Sequence, residues 1–259
     1  SSSSRAGLCG CNRLASRHYT FASPAYVSTF GEFPPVDIVA LRSGTVRYLE
    51  KFDAQAWYDD PVCTVIKGQR CAKGETCLTV DAFNSENGKQ ILATPQEVDQ
   101  VLEHVRSLRP PRDLRVPVRA IEQRLLTEHA PLLIGNQARD FHKQDGVTEI
   151  EESVEANLVE RRLNDLLLAD EVAGKVRIQR DVALVGCVSN FTNFLDLFRK
   201  TLRNLELGVP VLVLSRSNTT QHMYRWFQLL TSEMQREGMD ISLVTYVSCS
   251  IPEQRRIMA

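Results

Sequence analysis

Residues Val182–Ser217 read VALVGCVSNFTNFLDLFRKTLRNLELGVPVLVLSRS, and their pattern decides the fold. The apolar run Val182–Val188 meets a polar turn at Ser189–Asn190. From there Phe194, Phe198, Thr201, Leu202 and Leu205 recur at spacings of three and four, the stripe of a helix with one buried face. Gly208 supplies the left-handed residue that usually ends such a helix. Val211–Leu214 is a short unbroken apolar run of the kind buried on both faces of a parallel sheet. Strand, helix and strand in this order make a crossover unit.

The pattern continues on both sides. Toward the C-terminus, Thr219 to Glu237 predicts a helix with Met223, Trp226, Phe227, Leu230 and Met234 on one face and Gly238 past its end. Asp240–Val247 then predicts a buried strand. Toward the N-terminus, Lys175–Arg180 alternates, Gly174 closes a helical region, and Glu149–Leu168 predicts a helix whose Glu and Arg run reads as a solvated face. Val116–Leu133 predicts one helix with Val118, Ile121, Leu125 and Leu126 inward. Thr94 and Pro95 open another, with Val98, Val101, Leu102, Val105 and Leu108 as its stripe. Before it, Val62–Lys67, Cys77–Val80 and Gln90–Ala93 predict short strands, with turns at Gly68 and at Ser85–Lys89. Glu32–Pro61 reads as irregular, with room for a short helix between Tyr48 and Tyr58. Together these predict an α/β, doubly wound, mostly parallel sheet over 62–259, preceded by an N-terminal extended arm within 1–61.

Composition narrows the function classes. Thirty-one basic against thirty-two acidic residues give a net charge of -1, which offers no global attraction to nucleic acid or to an anionic membrane. No uncharged run approaches the roughly 18 residues of a transmembrane helix. Seven cysteines, an odd number, argue against a disulfide framework. Cys63, Cys71 and Cys77 lack the paired C-x2-C spacing of a zinc site, and His18, His104, His129, His142 and His222 form no metal or nucleophile–base spacing. No metal is therefore expected. The first thirty residues contain Arg5, Arg13 and Arg17, many serines and no acid before Glu32, the composition of a mitochondrial transit peptide or of a tail beside one. An unstructured arm with accidental bias is the alternative.

From Val62 onward the chain resembles the aldehyde dehydrogenase superfamily. VIKGQRCAKGETCLTVDAFNSENGKQILATPQEVDQ is similar to the family's INGEW hairpin, its NPATGEVIA stretch and a helix opening with EDVD. Asn190–Thr192, NFT, followed by a helix, a glycine and the VLVL strand, is similar to the family's Asn-Phe strand end and VVLK strand. YVSCSIPEQRRIMA is similar to FTGSTEVGRxIM. The NFT form is closest to the branch that includes 1-pyrroline-5-carboxylate dehydrogenase.

The resemblance implies where chemistry would sit. In the family an Asn amide at the strand end holds the oxyanion formed when a cysteine attacks the aldehyde. Asn190 matches by motif and Asn193 by distance to the closing glycine, and for either one capping of the helix is the structural alternative. The family's KPSE, which holds the adenine-side ribose of NAD, is matched by Ser215, Arg216, Ser217 and Asn218, so both charged partners are replaced. Arg216 remains able to meet a phosphate, as for NADP, or to lie on the surface. The TGS glycine at the pyrophosphate is matched by Cys249, between Ser248 and Ser250, where a side chain is expected to crowd a nucleotide.

The family's nucleophilic cysteine and water-activating glutamate follow that loop, and the sequence reaches only Ala259. Covalent aldehyde oxidation by these residues alone is not expected, nor is a bound cofactor. The first expectation is a non-catalytic structural or accessory subunit of a mitochondrial multiprotein complex, in the matrix or on its matrix side, contacting other subunits partly through the arm. The second is a fragment of an NAD(P)-dependent aldehyde dehydrogenase. The third is a nucleotide-binding regulatory module.

Overall fold

The computed structural model describes residues 37–142, 148–186, 194–215 and 219–259. In chain order the elements are α1 (Ile38–Glu50), α2 (Ala56–Asp59), β1 (Thr64–Ile66), β2 (Gln69–Cys71), β3 (Thr76–Val80), β4 (Glu86–Ile91), α3 (Pro95–Ser107), α4 (Arg115–Thr127), α5 (Ala130–Phe141) and α6 (Thr148–Val172). There follow β5 (Ala183–Gly186), α7 (Phe194–Glu206), β6 (Val211–Leu214), α8 (Thr220–Arg236), β7 (Val244–Val247) and α9 (Ile251–Met258).

The main sheet has the order β2-β1-β7-β6-β5. Strands β5, β6 and β7 are parallel and in register, with Val213 opposite Val185 on one side and Tyr246 on the other. The β1–β2 hairpin joins this block antiparallel, through Val65 opposite Tyr246. Strands β3 and β4 form a separate antiparallel ribbon.

Alternation along β6 divides the core. Val211 and Val213 face a large cluster that includes Ile121 and Leu125 of α4, Leu133 of α5, Leu202 of α7 and Trp226 of α8. Leu212 and Leu214 face a smaller one with Val98, Val101 and Val105 of α3, Val247 and Cys249. The sheet is thus covered on both faces, as a doubly wound fold requires. At the β5 edge Leu184 stays 45% exposed.

Between α4, α6 and α7 the packing is ionic. Arg119 donates to Glu206 Oε1 (2.7 Å) and to Asp165 Oδ1 (2.9 Å). Arg161 and Arg203 both donate to Glu122 Oε2 at 2.5 Å. Asn164 donates to the other oxygen of Glu206 at 2.7 Å. Both glutamates are fully buried, so each charge depends on its partners for the solvation it has lost.

Several expectations hold. Thr94 caps α3 in a reciprocal box with Glu97, and the five apolar residues expected on α8 are all buried. Gly174, Gly208 and Gly238 take left-handed conformations at helix ends. Other expectations need correction. The stretch read as irregular is helical over Ile38–Glu50, capped by Asp37, and Leu41 joins the large cluster while Tyr48 donates to Asn136 of α5 at 2.5 Å. The single helix expected over Val116–Leu133 is two, because Pro131 in the first turn of α5 cannot continue a preceding helix. The turn expected at Ser85–Lys89 lies at Asp81–Ser85 instead: the Asp81 carboxylate accepts from Phe83 N and Ser85 N, and Asn84 takes φ 62°. Finally, Arg161 on the supposedly solvated charge run of α6 is buried against Glu122.

Replacing Glu122 with alanine leaves Arg161 and Arg203 buried without their shared acceptor. The expected loss is about 3–5 kcal/mol of unfolding free energy, measured by urea titration. A loss below about 1 kcal/mol would mean that this cluster contributes little to holding α4, α6 and α7 together.

Candidate functional site

In an open α/β sheet, ligands meet the carboxyl ends of the parallel strands. Here that edge is built by the residues following β6 and β7 and by the first turns of α9. Ser215 follows β6, and its N–H donates to the carbonyl of Val247 at 2.9 Å, which extends the β6–β7 pairing by one step. Its hydroxyl donates to Thr220 Oγ1 at 3.1 Å, and the residue is buried. Ser248 is buried as well: its N–H donates to Thr64 Oγ1 (3.0 Å) and its hydroxyl to Gln90 Oε1 (3.1 Å).

Cys249 turns its side chain into the smaller apolar cluster. Burial pushes its thiol up to about 12, with Glu253 adding to the rise and Arg256 opposing it. Ser250, half-buried, is the N-cap of α9 and makes no side-chain cap bond; Pro252 follows in the first turn. From the second turn of α9, the amide of Gln254 donates at 3.1 Å to the carbonyl of Ser215 and at 3.1 Å to that of Cys249. One side chain therefore spans the gap between the ends of β6 and β7. Arg256 ties α9 to α3 by donating to Asp99 and to the carbonyl of Pro95.

Of the residues singled out in the sequence, Ser215, Cys249 and Ser250 come together at this edge. Asn190, Asn193, Arg216, Ser217 and Asn218 lie outside the described residues. Gln254 was not singled out, although its place four residues after the N-cap, one helical turn on, was available from the sequence as a signal. Among the described residues no cluster of His, Cys, Asp and Glu could hold a metal ion, and no helix is long and apolar enough to cross a membrane. The edge thus offers backbone groups and the start of a helix. The hydroxyls of Ser215 and Ser248 and the amide of Gln254 are already engaged with neighbours.

This arrangement of sheet and helices is the aldehyde dehydrogenase-like fold. The chain is similar to proline utilization A from Bdellovibrio bacteriovorus at a TM-score of 0.64 and 16% identity, over 88% of this chain and 25% of that one. It is similar to Delta-pyrroline-5-carboxylate dehydrogenase from Mycobacterium tuberculosis at a TM-score of 0.56 and 16% identity, over 89% and 44%. It is also similar to 1-pyrroline-5-carboxylate dehydrogenase from Thermus thermophilus at a TM-score of 0.60 and 13% identity, over 89% and 46%. The chain therefore spans between a quarter and half the length of these structures. No protein-family model matches the sequence, and no curated protein matches it.

With its thiol at about 12, Cys249 carries thiolate in only about 10⁻⁴ of molecules at mildly alkaline pH. It should resist iodoacetamide in the folded chain and react on unfolding, as peptide mapping would show. Rapid native alkylation at Cys249 would contradict the buried placement.

Proposed function

We propose that this chain is an aldehyde dehydrogenase-like protein that serves as a structural or accessory subunit among other proteins and does not run the dehydrogenase reaction. The observation that carries this reading is Gln254 laid across the ends of β6 and β7. A dinucleotide in such a fold needs a bare turn for its pyrophosphate and charged partners for its ribose. Here Cys249 stands in place of the glycine but turns its side chain into the apolar cluster and leaves the turn uncrowded. What counts against a dinucleotide is that the ribose-holding positions carry Ser215 and Asn218 and that the Gln254 side-chain amide already bridges the strand ends.

A second feature supports assembly with other proteins. In the segment Lys175–Arg180, which belongs to no helix or strand, Arg177 is anchored by Glu171 and by the carbonyls of Leu207 and Arg112, and Gln179 by the carbonyl of Gly208. The alternate residues Val176 and Ile178 are 92% and 93% exposed. A side-chain-anchored stretch whose outward residues are apolar suits contact with another polypeptide. The acid-free, arginine-bearing composition of residues 1–31 supports placement in the mitochondrion, in the matrix or on the matrix side of a complex, with this arm as a further contact.

The second reading is an NAD(P)-dependent dehydrogenase of which this chain is part. It is favoured by the match over 89% of the chain to a pyrroline-5-carboxylate dehydrogenase solved bound with NAD. Calorimetric titration with NAD and NADP tests the accessory reading, which expects no saturable binding. Saturable binding overturns it, and a native chain of greater mass carrying a cysteine some tens of residues past Ala259 then selects the dehydrogenase over a nucleotide-binding regulatory module. Val176→Asp combined with Ile178→Asp is expected to reduce the native mass of the tagged endogenous chain's assembly while leaving its melting temperature unchanged. An assembly of unaltered size would remove this segment from the interface.

A further inference from the structure

The sequence contains one Asn-Gly dipeptide, Asn87–Gly88, in β4. Asn-Gly is the asparagine context most open to spontaneous loss of the amide, because glycine puts no side chain in the way of its own backbone nitrogen. In this fold neither residue is readily exchanged. A Cβ at Gly88 would lie 2.3 Å from Gln221 Nε2 and 2.8 Å from the carbonyl oxygen of Trp57. Asn87 works at both ends of its amide: the oxygen accepts from Thr79 Oγ1 at 2.7 Å, and the nitrogen donates to Asp140 Oδ1 at 2.6 Å. Asp140 is fully buried, and its other oxygen accepts from the backbone N–H of His222 in the first turn of α8 at 2.7 Å. Through this carboxyl the β3–β4 ribbon, the end of α5 and the start of α8 are joined.

We propose that Asn87 is a deamidation site whose conversion irreversibly unlatches this joint. The backbone nitrogen of Gly88 attacks the side-chain carbonyl carbon of Asn87, the carbon–nitrogen bond of the amide breaks, and ammonia leaves. Water opens the resulting succinimide at either carbonyl, giving aspartate or isoaspartate, with no change of oxidation state. Because both amide atoms are held, the reaction proceeds in the moments when the ribbon opens. Its product cannot close again in the same way. Aspartate replaces a donor to Asp140 with a second carboxyl, and once Asp140 has lost its proton two carboxylates at this distance cannot both ionise cheaply. Isoaspartate adds a backbone carbon at the bulge of β4, where Asn87 lies between the pairs Thr79–Gly88 and Val80–Glu86, and so shifts Gly88 against Thr79.

The pH dependence of the damage follows from the surroundings of Asp140. Burial pushes its carboxyl up to about 8; the N–H of His222, Arg225 and Arg139 oppose that rise and Asp81 adds to it. Asp81 is itself held low by His142 and by the N–H groups of Ser85 and Phe83, against its own burial. The stability that Asp140 contributes by keeping its proton is present at low pH and lost as pH rises through about 8. A carboxyl at position 87 deepens that loss.

The test starts with the folded full chain aged at mildly alkaline pH and analysed by peptide mapping. Asn87 is expected to be the first asparagine converted, and converted molecules are expected to melt below unconverted ones. Another asparagine converting first, or equal melting temperatures, would overturn the proposal. Two variants isolate the cause: Asn87→Asp should melt lower than the parent, with the gap widening as pH rises, and Asn87→Asp combined with Asp140→Asn, which exchanges amide and carboxylate, should regain most of the difference. If the single variant does not fold, the exchanged pair and the aged chain still decide; an exchanged pair no more stable than the single variant would refute the like-charge mechanism.

Discussion

The four side chains of β6 cannot be satisfied on one face. Val211, Leu212, Val213 and Leu214 are all buried, and each contributes about 1.5–3 kcal/mol only if apolar matter covers both sides of the strand. That requirement fixes the layers. The helices of the large cluster fill one side, and α3 must lie on the other, with α9 bound to it through Arg256. The placement of α9 then brings Gln254 to the strand ends. The chemistry of the candidate site is thus a consequence of how the sheet is covered.

Where local pattern and tertiary packing agree, the fold was legible. The stripe of α8, the cap of α3 and the continuous run of β6 each follow from residues within one element. Ile38–Glu50 was not legible because only Leu41 and Thr45 of it are buried and Gly44 interrupts it; its helical form depends on α5, through contacts such as Tyr48 with Asn136. Asn87–Gly88 looks like a turn by its residues, yet Gly88 is there for the close approach of Trp57 and Gln221, and the turn is made by Asp81 and Asn84. Of the adjacent Arg161 and Arg162, nothing local says that the first goes inward. That choice belongs to Glu122, thirty-nine residues away.

The candidate site was legible to a similar depth. Order along the chain suffices to put Ser215, Cys249 and Ser250 at one edge. The role of Gln254 depends on two carbonyls, one of them thirty-nine residues distant, and carbonyl positions leave no trace in side-chain identity. The side chain of Cys249 was expected to face a nucleotide, and its packing beneath α3 depends on how α9 is tethered. A shared fold does not carry function with it.

Strand β1 is paired through a single register point, Val65 with Tyr246, to β7. Tyr246 follows Val65 by 181 residues, all of which must leave the ribosome before that hairpin has its place in the sheet, and closure over so long a loop is slow. Until then β1 and β2 wait as an unpaired ribbon with Val65 unburied. A nascent chain of this kind has a long interval in which holding by a chaperone matters to its yield.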